Sequence, residues 1–456
     1  MTGASLKPPV DSQQSAMNGN TNDAALDEDD VKLHDSFAQG FRVGAEPATL
    51  QERRVSWGNL LWSDFTAQQP YVASIPFTKS EGRQRERATS ASAFEPIPDW
   101  PFLPRARGKL SEFVLGAFRA VSSPLGPAPS VDVDDALDDS DFQLALFLCY
   151  ELHYRSISNL ELEWDPTLLG LRLELEDTFV RRLRQNSEPG EVNPGDVVAL
   201  LDQVVRTRNV ENIAEYLDQR GSLDQLREYC VLRSPSLLRS GDASALGVAR
   251  LRGRAKAAMA RIQFGDLGYG DAAAMISSQF SATMTSLQLE PNYGAYTDNL
   301  PAVSLAAANL ESLFGLHQRW RAALVGQLTA SKMTSVDAMS HCSRAMQRLE
   351  GSVAGAQYFD VRMNADAIHA FIARNQLVTG LLETDPTSSD DVVFGAQAYL
   401  TLEDNLARHV LGSWSEKCSS LFRWDVPSHA DAPVANEDAP QDPHVGFETR
   451  QQLDSP

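Results

Sequence analysis

From Asp141 to Trp414 the chain is a succession of segments whose apolar residues recur every three to four positions. No stretch between them alternates apolar and polar residues with period two. Spacing near 3.6 turns one face of a helix toward a core, whereas period-two alternation builds a half-buried strand. The first pattern without the second predicts an all-α fold. "DFQLALFLCYELHYRSI" opens on Asp residues suited to an N-cap. "PTLLGLRLELEDTFVRRLRQ" begins with Pro, whose fixed φ suits a first turn, and ends on Arg residues that complement the helix dipole. "NIAEYLDQRG" stops at glycine, and "SLDQLREYCVLRS", "ALGVARLRGRAKAAMARIQF", "DAAAMISSQFSATMTSLQL", "AVSLAAANLESLFGLHQRWRAALVGQL", "NADAIHAFIARNQLVTGLLE" and "DVVFGAQAYLTLEDNLARHVLGSW" continue the helical spacing. These are too many helices for a simple four-helix bundle, and no internal repeat is visible.

The flanks differ in composition. Residues 1–36 are polar, acidic and poor in aromatics, which predicts a disordered tail. Residues 37–107 mix Trp57, Trp62, Phe65, Tyr71 and Phe77 with Pro and charge, and read as an irregular arm packing on the core. The helical domain is expected over 108–424, and 425–456 reads as a disordered acidic tail. The N-terminal stretch lacks the apolar segment of a secretory signal, and no run of about 18 apolar residues is present, so a cytoplasmic chain that does not span a membrane is expected. A net charge of −21 argues against nucleic acid and anionic membrane surfaces as partners. The four cysteines, Cys149, Cys230, Cys342 and Cys418, form no C-x-x-C pair and read as buried reduced thiols.

No phosphate loop, dinucleotide glycine pattern, HExxH or GxSxG motif occurs, and there are eight histidines. Chemistry then falls to carboxylates and histidines on helices. In "YFDVRMNADAIHAF", Asp366 and His369 lie three residues apart and share a helix face, the spacing by which helical bundles present two ligands to one metal. Taken alone, such a pair is more often surface or core decoration than a metal site. Arg362 precedes Asp366 by one turn. Glu151 and His153, two residues apart, do not share a face. Asp337 and His341, four apart, read as a solvated face, His317 as a satisfied core or rim histidine, and "GDLGYGD" as a helix break, since no Lys or Ser/Thr follows in register.

Several blocks follow one another along the chain: "LALFLCYELHYRSI", "EWDPTLLGLRLELE", "GRAKAAMARIQFGDLGYG", "LEPNYGAYTDNLPAVSLAAANLESLFGLHQRWRAALVG", "MTS", "YFDVRMNADAIHA" and "ARHVLGSW". Together, from Asp141 to Trp414, they resemble the bacterial iron-containing redox enzyme family, the heme-oxygenase-like diiron oxidases and oxygenases. The resemblance implies a heme-oxygenase-like helical bundle that holds no heme, binds one or two non-heme irons and activates O2. It also implies ligand positions. A Glu and a His are expected where this chain has Asp266 and Ile276, a Glu before "MTS" where it has Lys332, and H-x-x-x-D-x-x-H where it has Arg362, Asp366 and His369.

Only Asp366 and His369 stand as the family has them. Asp266 keeps a carboxylate, and Ile276, Lys332 and Arg362 replace ligands with an apolar side chain and two cations. Arg does not deprotonate in a protein. The sequence therefore predicts that Lys332 reaches Asp266 or Asp366, that Arg362 pairs with Asp366, and that these cations either replace a metal or grip a carboxylate-bearing ligand. Two functions stay open. The first is a metal-independent homologue with no cofactor, which binds a small-molecule ligand or partners a homologous oxidase subunit. The second is a non-heme iron oxidase of small-molecule metabolism using Asp266, Asp366 and His369. A homodimer is expected by analogy only.

Overall fold

The computed structural model describes residues 103–119, 125–154, 160–185, 192–208, 212–350 and 353–422. The tails expected at 1–36 and 425–456, and the arm expected at 37–107 up to residue 102, lie outside them. Among the described residues there are helices and no strand, so the described body is all-α.

The helices run α1 (Lys109–Arg119), α2 (Ser140–Glu151), α3 (Pro166–Arg184), α4 (Val197–Arg206), α5 (Ile213–Gln219), α6 (Leu223–Leu237), α7 (Asp242–Val248), α8 (Gly253–Asp266), α9 (Ile276–Ser286), α10 (Ala302–Leu316), α11 (Arg321–Glu350), α12 (Val353–Ile372), α13 (Thr379–Thr384) and α14 (Ser389–Ser415). A π-helical turn, Ala373–Val378, joins α12 to α13. Their starts follow from local chemistry. Asp139 accepts from the Phe142 N–H to cap α2, and Asp165 accepts from Thr167 and Leu168 ahead of the first-turn Pro166 of α3. Ser222 and Gln225 form a reciprocal capping box on α6. Such caps contribute about 1 kcal/mol each. Asp141 also reaches across to α1, where it accepts from the N–H groups of Leu110 and Ser111 at 2.9 and 2.8 Å.

α11 packs most extensively against α12 and α14, and also against α5. The α11–α14 crossing needs glycine on both sides. A Cβ on Gly326 would overlap the Val392 carbonyl oxygen, and one on Gly395 would overlap that of Ala323. The two backbones therefore touch with no side chain between them.

Two apolar clusters fill the interior. One contains Met259, Ile262, Ala330, Ile372 and Leu377; the other contains Ile276, Phe280, Met339, Cys342, Tyr358 and Phe359. α11 and α12 run through both. Lys332 lies along α11 between Ala330 and Met339, while Arg362, Asp366 and His369 lie along α12 between Phe359 and Ile372. The charged residues form a layer where the apolar clusters meet.

Two expected single helices are broken. "ALGVARLRGRAKAAMARIQF" becomes α7 and α8, because Arg252 is extended and Gly253 takes φ +52°. "AVSLAAANLESLFGLHQRWRAALVGQL" becomes α10 and α11, separated at His317, whose φ −99° and ψ 124° are extended. Cys149, Cys230 and Cys342 are buried, but Cys418 is exposed, which corrects the expectation for that residue. Its helix has already ended at Ser415, and Lys417 at φ +59° turns the chain. No described helix is long and apolar enough to cross a membrane.

Candidate functional site

Five of the six positions singled out by sequence meet at the junction of α8, α11 and α12. Asp266 closes α8, Lys332 projects from α11, and Arg362, Asp366 and His369 occupy one face of α12 at spacings of four and three. All five are buried; Lys332 is 1 % exposed and Asp366 0 %. A fully buried Lys is rare unless paired. Here the Lys332 ammonium donates to both Asp266 oxygens at 3.0 Å and to Asp366 Oδ1 at 2.9 Å. Arg362 Nε donates to the other Asp366 oxygen at 2.5 Å, and its Nη1 reaches Ser240 Oγ at 3.2 Å. Two carboxylates and two cations make the layer neutral without any further ion.

The sixth position is elsewhere. Ile276, 2 % exposed, opens α9 and belongs to the apolar cluster with Phe280 and Tyr358.

His369 completes the centre differently. Its Nδ1 lies 3.4 Å from Asp266 Oδ1 and 3.8 Å from Asp366 Oδ1, but makes no hydrogen bond. Its other edge rests on the backbone of Gly265, where a Cβ would come within 2.6 Å of Nε2. After Asp266 the chain turns through positive φ at Gly268, Tyr269 and Gly270. Tyr269 pays backbone strain there, since left-handed geometry is uncommon outside glycine. Its ring packs edge-on to Phe264 at 5.4 Å, and both are about half exposed.

The electrostatics follow from burial against pairing. Burial pushes the Asp266 carboxyl up, but the Lys332 charge and His369 outweigh it and hold it at about 2. For Asp366, burial is overcome by Arg362 and then Lys332, leaving it well below the usual carboxylate range. Burial lowers the Arg362 guanidinium, and Asp366, with Tyr358 and Asp266, raises it further than burial takes away. Both acids are therefore ionised near neutral pH, and Arg362 is charged.

Residues 227–404 match the family model described as iron-containing redox enzyme. Over that segment the chain is similar to the iron-containing redox enzymes. It includes all five residues of the centre and Ile276. Comparison with curated proteins finds no match.

The match invites a test of whether these residues fit iron. Asp266, Asp366 and His369 each offer one ligand atom, and these atoms lie within 4.8 Å of one another. The Lys332 ammonium, however, already sits among the carboxylate oxygens, and Arg362 takes the remaining oxygen of Asp366. Two unit charges at 4 Å interact by about 4 kcal/mol at an effective dielectric of 20, and a dication roughly doubles this against each cation. The two carboxylates are already neutralised, so a bound dication would leave the buried layer with two uncompensated positive charges. The arrangement does not fit iron.

The other polar candidates lie apart. His341 Nδ1 is 2.8 Å from Asp218, with the exposed Asp337 3.7 Å from its Nε2. His317 pairs with Glu176 at 2.9 Å, and His153 faces Glu163 at 3.3 Å. Glu151 meets Arg239 at 3.1 Å in a buried pair. Gly265 and Tyr358 were not legible as parts of the site. Gly265 sat inside the quoted "IQFGDLGYG", and Tyr358 is one turn before Arg362. Their roles depend on the packing of α8 and α12.

Proposed function

We propose that this chain is a homologue of the iron-containing redox enzymes in which Lys332 and Arg362 stand in for the metal, and that it acts as a metal-independent ligand-binding or partner protein. The observation behind this reading is the Lys332 ammonium, 2.9–3.0 Å from three carboxylate oxygens. In chemical terms the centre is a closed ion-pair network. It holds helices α8, α11 and α12 together, and a carboxylate stripped of metal would otherwise cost several kcal/mol in the interior.

One feature favours a second reading, an oxidase working with Asp266, Asp366 and His369 alone: the Nδ1 of His369 is buried and without a hydrogen bond. Two-His-one-carboxylate sites show that three protein ligands suffice for non-heme iron. Oxygen uptake separates the readings. Protein loaded anaerobically with ferrous iron, freed of excess metal and then mixed with aerated buffer is expected to consume no more O2 than an unrelated helical protein treated alike. Protein-dependent uptake lost in His369→Ala would establish the second reading.

A further inference from the structure

Around His153, just past the end of α2, charged and titratable side chains converge from three other elements. Glu163 lies on the short helical turn Leu160–Trp164, Arg172 and Glu176 are one turn apart on α3, and His317 marks the break between α10 and α11. The His153 side chain is 5 % exposed. Its Nδ1 is 3.3 Å from Glu163 Oε1, and its Nε2 meets Arg172 Nη1. The exposed Trp164 ring packs edge-on to the imidazole, with centroids 5.6 Å apart. On the other side of Arg172, Glu176 lies 2.9 Å from His317 Nε2. Arg172 Nε is only 3.3 Å from Glu176 Oε1, yet it is buried without a hydrogen bond. The Cys149 thiol and Tyr150 phenol, on the last turn of α2, feel both Arg172 and Glu176, and burial keeps both protonated near neutral pH. Glu161, on the same turn as Glu163, is exposed.

This geometry fixes the state of His153. A guanidinium has donors and no acceptor, so Nε2 must offer Arg172 its lone pair. Nδ1, which faces a carboxylate, then carries the ring proton, and the imidazole is neutral. Burial and the Arg172 charge both lower its pKa from the ordinary 6.5, against the pull of Glu163 and Glu176. A second proton, on Nε2, would set N–H against N–H and positive charge against positive charge. His317 is the opposite case, because its Nε2 faces a carboxylate and a proton there strengthens the contact. Arg172 has a second berth at hand, since its idle Nε already lies beside Glu176.

We propose that His153 and Arg172 form a proton-operated latch. With His153 neutral, Arg172 is bound to the ring and ties α3 to the end of α2. With His153 protonated, the guanidinium is driven from the ring onto Glu176, and the imidazolium directs its charge at Glu163 on the turn that carries Trp164. The latch shares no residue with the centre at Asp266, so it stands whether or not iron binds there. The unfolded chain takes up this proton more readily than the folded one. The stability the latch contributes is therefore complete above about 6.5 and is lost as pH falls below that value.

The test follows the His153 ring by NMR in the full chain from about pH 8 to about pH 5, the range in which histidines titrate. The signal is identified by its absence in His153→Gln and, independently, by its displacement in Trp164→Leu, where the ring current of an exposed neighbour is lost. Gln is the conservative variant, since its amide oxygen accepts from Arg172 and takes no proton. The expected midpoint lies below 6.5 in the wild type and rises in Arg172→Met, where the charge opposing the proton is gone. Over the same range the thermal midpoint of the wild type is expected to fall more steeply toward acid than that of His153→Gln. A ring midpoint at or above 6.5, a midpoint unmoved in Arg172→Met, or parallel thermal profiles for wild type and His153→Gln would each overturn the latch.

Discussion

Two charged clusters are buried in this helical body, and they are built on different principles. At Glu151 and Arg239 the ion pair is embedded in neutral groups. Arg239 donates to Glu151 at 3.1 Å, to the carbonyls of Pro235 and Ala308 at 3.0 and 3.1 Å and to Ser312 Oγ at 2.9 Å, while the Tyr293 hydroxyl donates to Glu151 at 2.8 Å. At Asp266, Lys332, Arg362 and Asp366 charge meets charge, and apart from the bond to Ser240 no neutral group joins the hydrogen-bonded contacts. The first ties one guanidinium to a carboxylate and to backbone and hydroxyl oxygens; the second sets two side-chain cations against two carboxylates.

The largest effect that separates them is the removal of one cation. Lys332→Met leaves Asp266 buried without its chief counter-charge, and is expected to lower stability by about 3–5 kcal/mol, read as a fall in the denaturation midpoint at pH 7. Arg239→Met is expected to cost about as much. The contrast sharpens in double variants. Neutralising the acid as well, in Lys332→Met/Asp266→Asn, should restore about 1–3 kcal/mol, because the charges were each other's main partners. Arg239→Met/Glu151→Gln should restore less, since the Pro235 carbonyl and Ser312 Oγ also lose the Arg239 donor. Equal recovery in both pairs would erase the distinction drawn here.

Acid provides the next test. Asp266 titrates at about 2 in the folded protein against 3.8 as a free side chain, and Asp366 is also depressed. The folded state therefore binds fewer protons than the unfolded one below neutrality. The stability these groups contribute is complete above the free-carboxyl value and is lost as pH falls from about 4 toward 2. An acid titration followed by circular dichroism should show this loss. In Lys332→Met, Asp266 loses its chief counter-charge, so the loss should begin at higher pH. An unchanged acid transition in that variant would mean that Lys332 does not set the Asp266 charge.

A smaller effect is expected at Gly265. Gly265→Ala forces a methyl to within 2.6 Å of the His369 ring as it stands, and overpacking of this kind costs about 1–3 kcal/mol. Differential scanning calorimetry should detect it. A neutral result would show that the His369 ring moves freely. Smallest of all is Tyr358→Phe, expected within about 0.5 kcal/mol of wild type in stability, because the hydroxyl it removes has no hydrogen-bond partner.

Much of this was legible in the sequence because it depends on spacing within one helix. Arg362 and Asp366 four residues apart, and Asp366 and His369 three apart, could be placed on one face without knowing the fold. That Lys332 reaches Asp266 or Asp366 was readable only through the resemblance of the ordered blocks to the iron-containing redox enzymes; that it reaches both was not, since the contact joins α8, α11 and α12. What could not be read was tertiary. A cavity beside Arg362 draws on residues from Val205 to Ala407. The exposure of Cys418 depends on where α14 stops. The breaks at His317 and Gly253 interrupt apolar runs whose periodicity continues across them, because backbone geometry at single residues overrides the pattern.

The central claim is that a lysine ammonium holds the place where relatives of this chain would hold metal. Iron counted per chain tests it most directly. Protein incubated anaerobically with ferrous iron, desalted and shown to be helical by circular dichroism is expected to retain far less than one iron per chain by mass spectrometry. One or more irons per folded chain, lost when Asp366 or His369 is replaced, would contradict the account and return this centre to the oxidases.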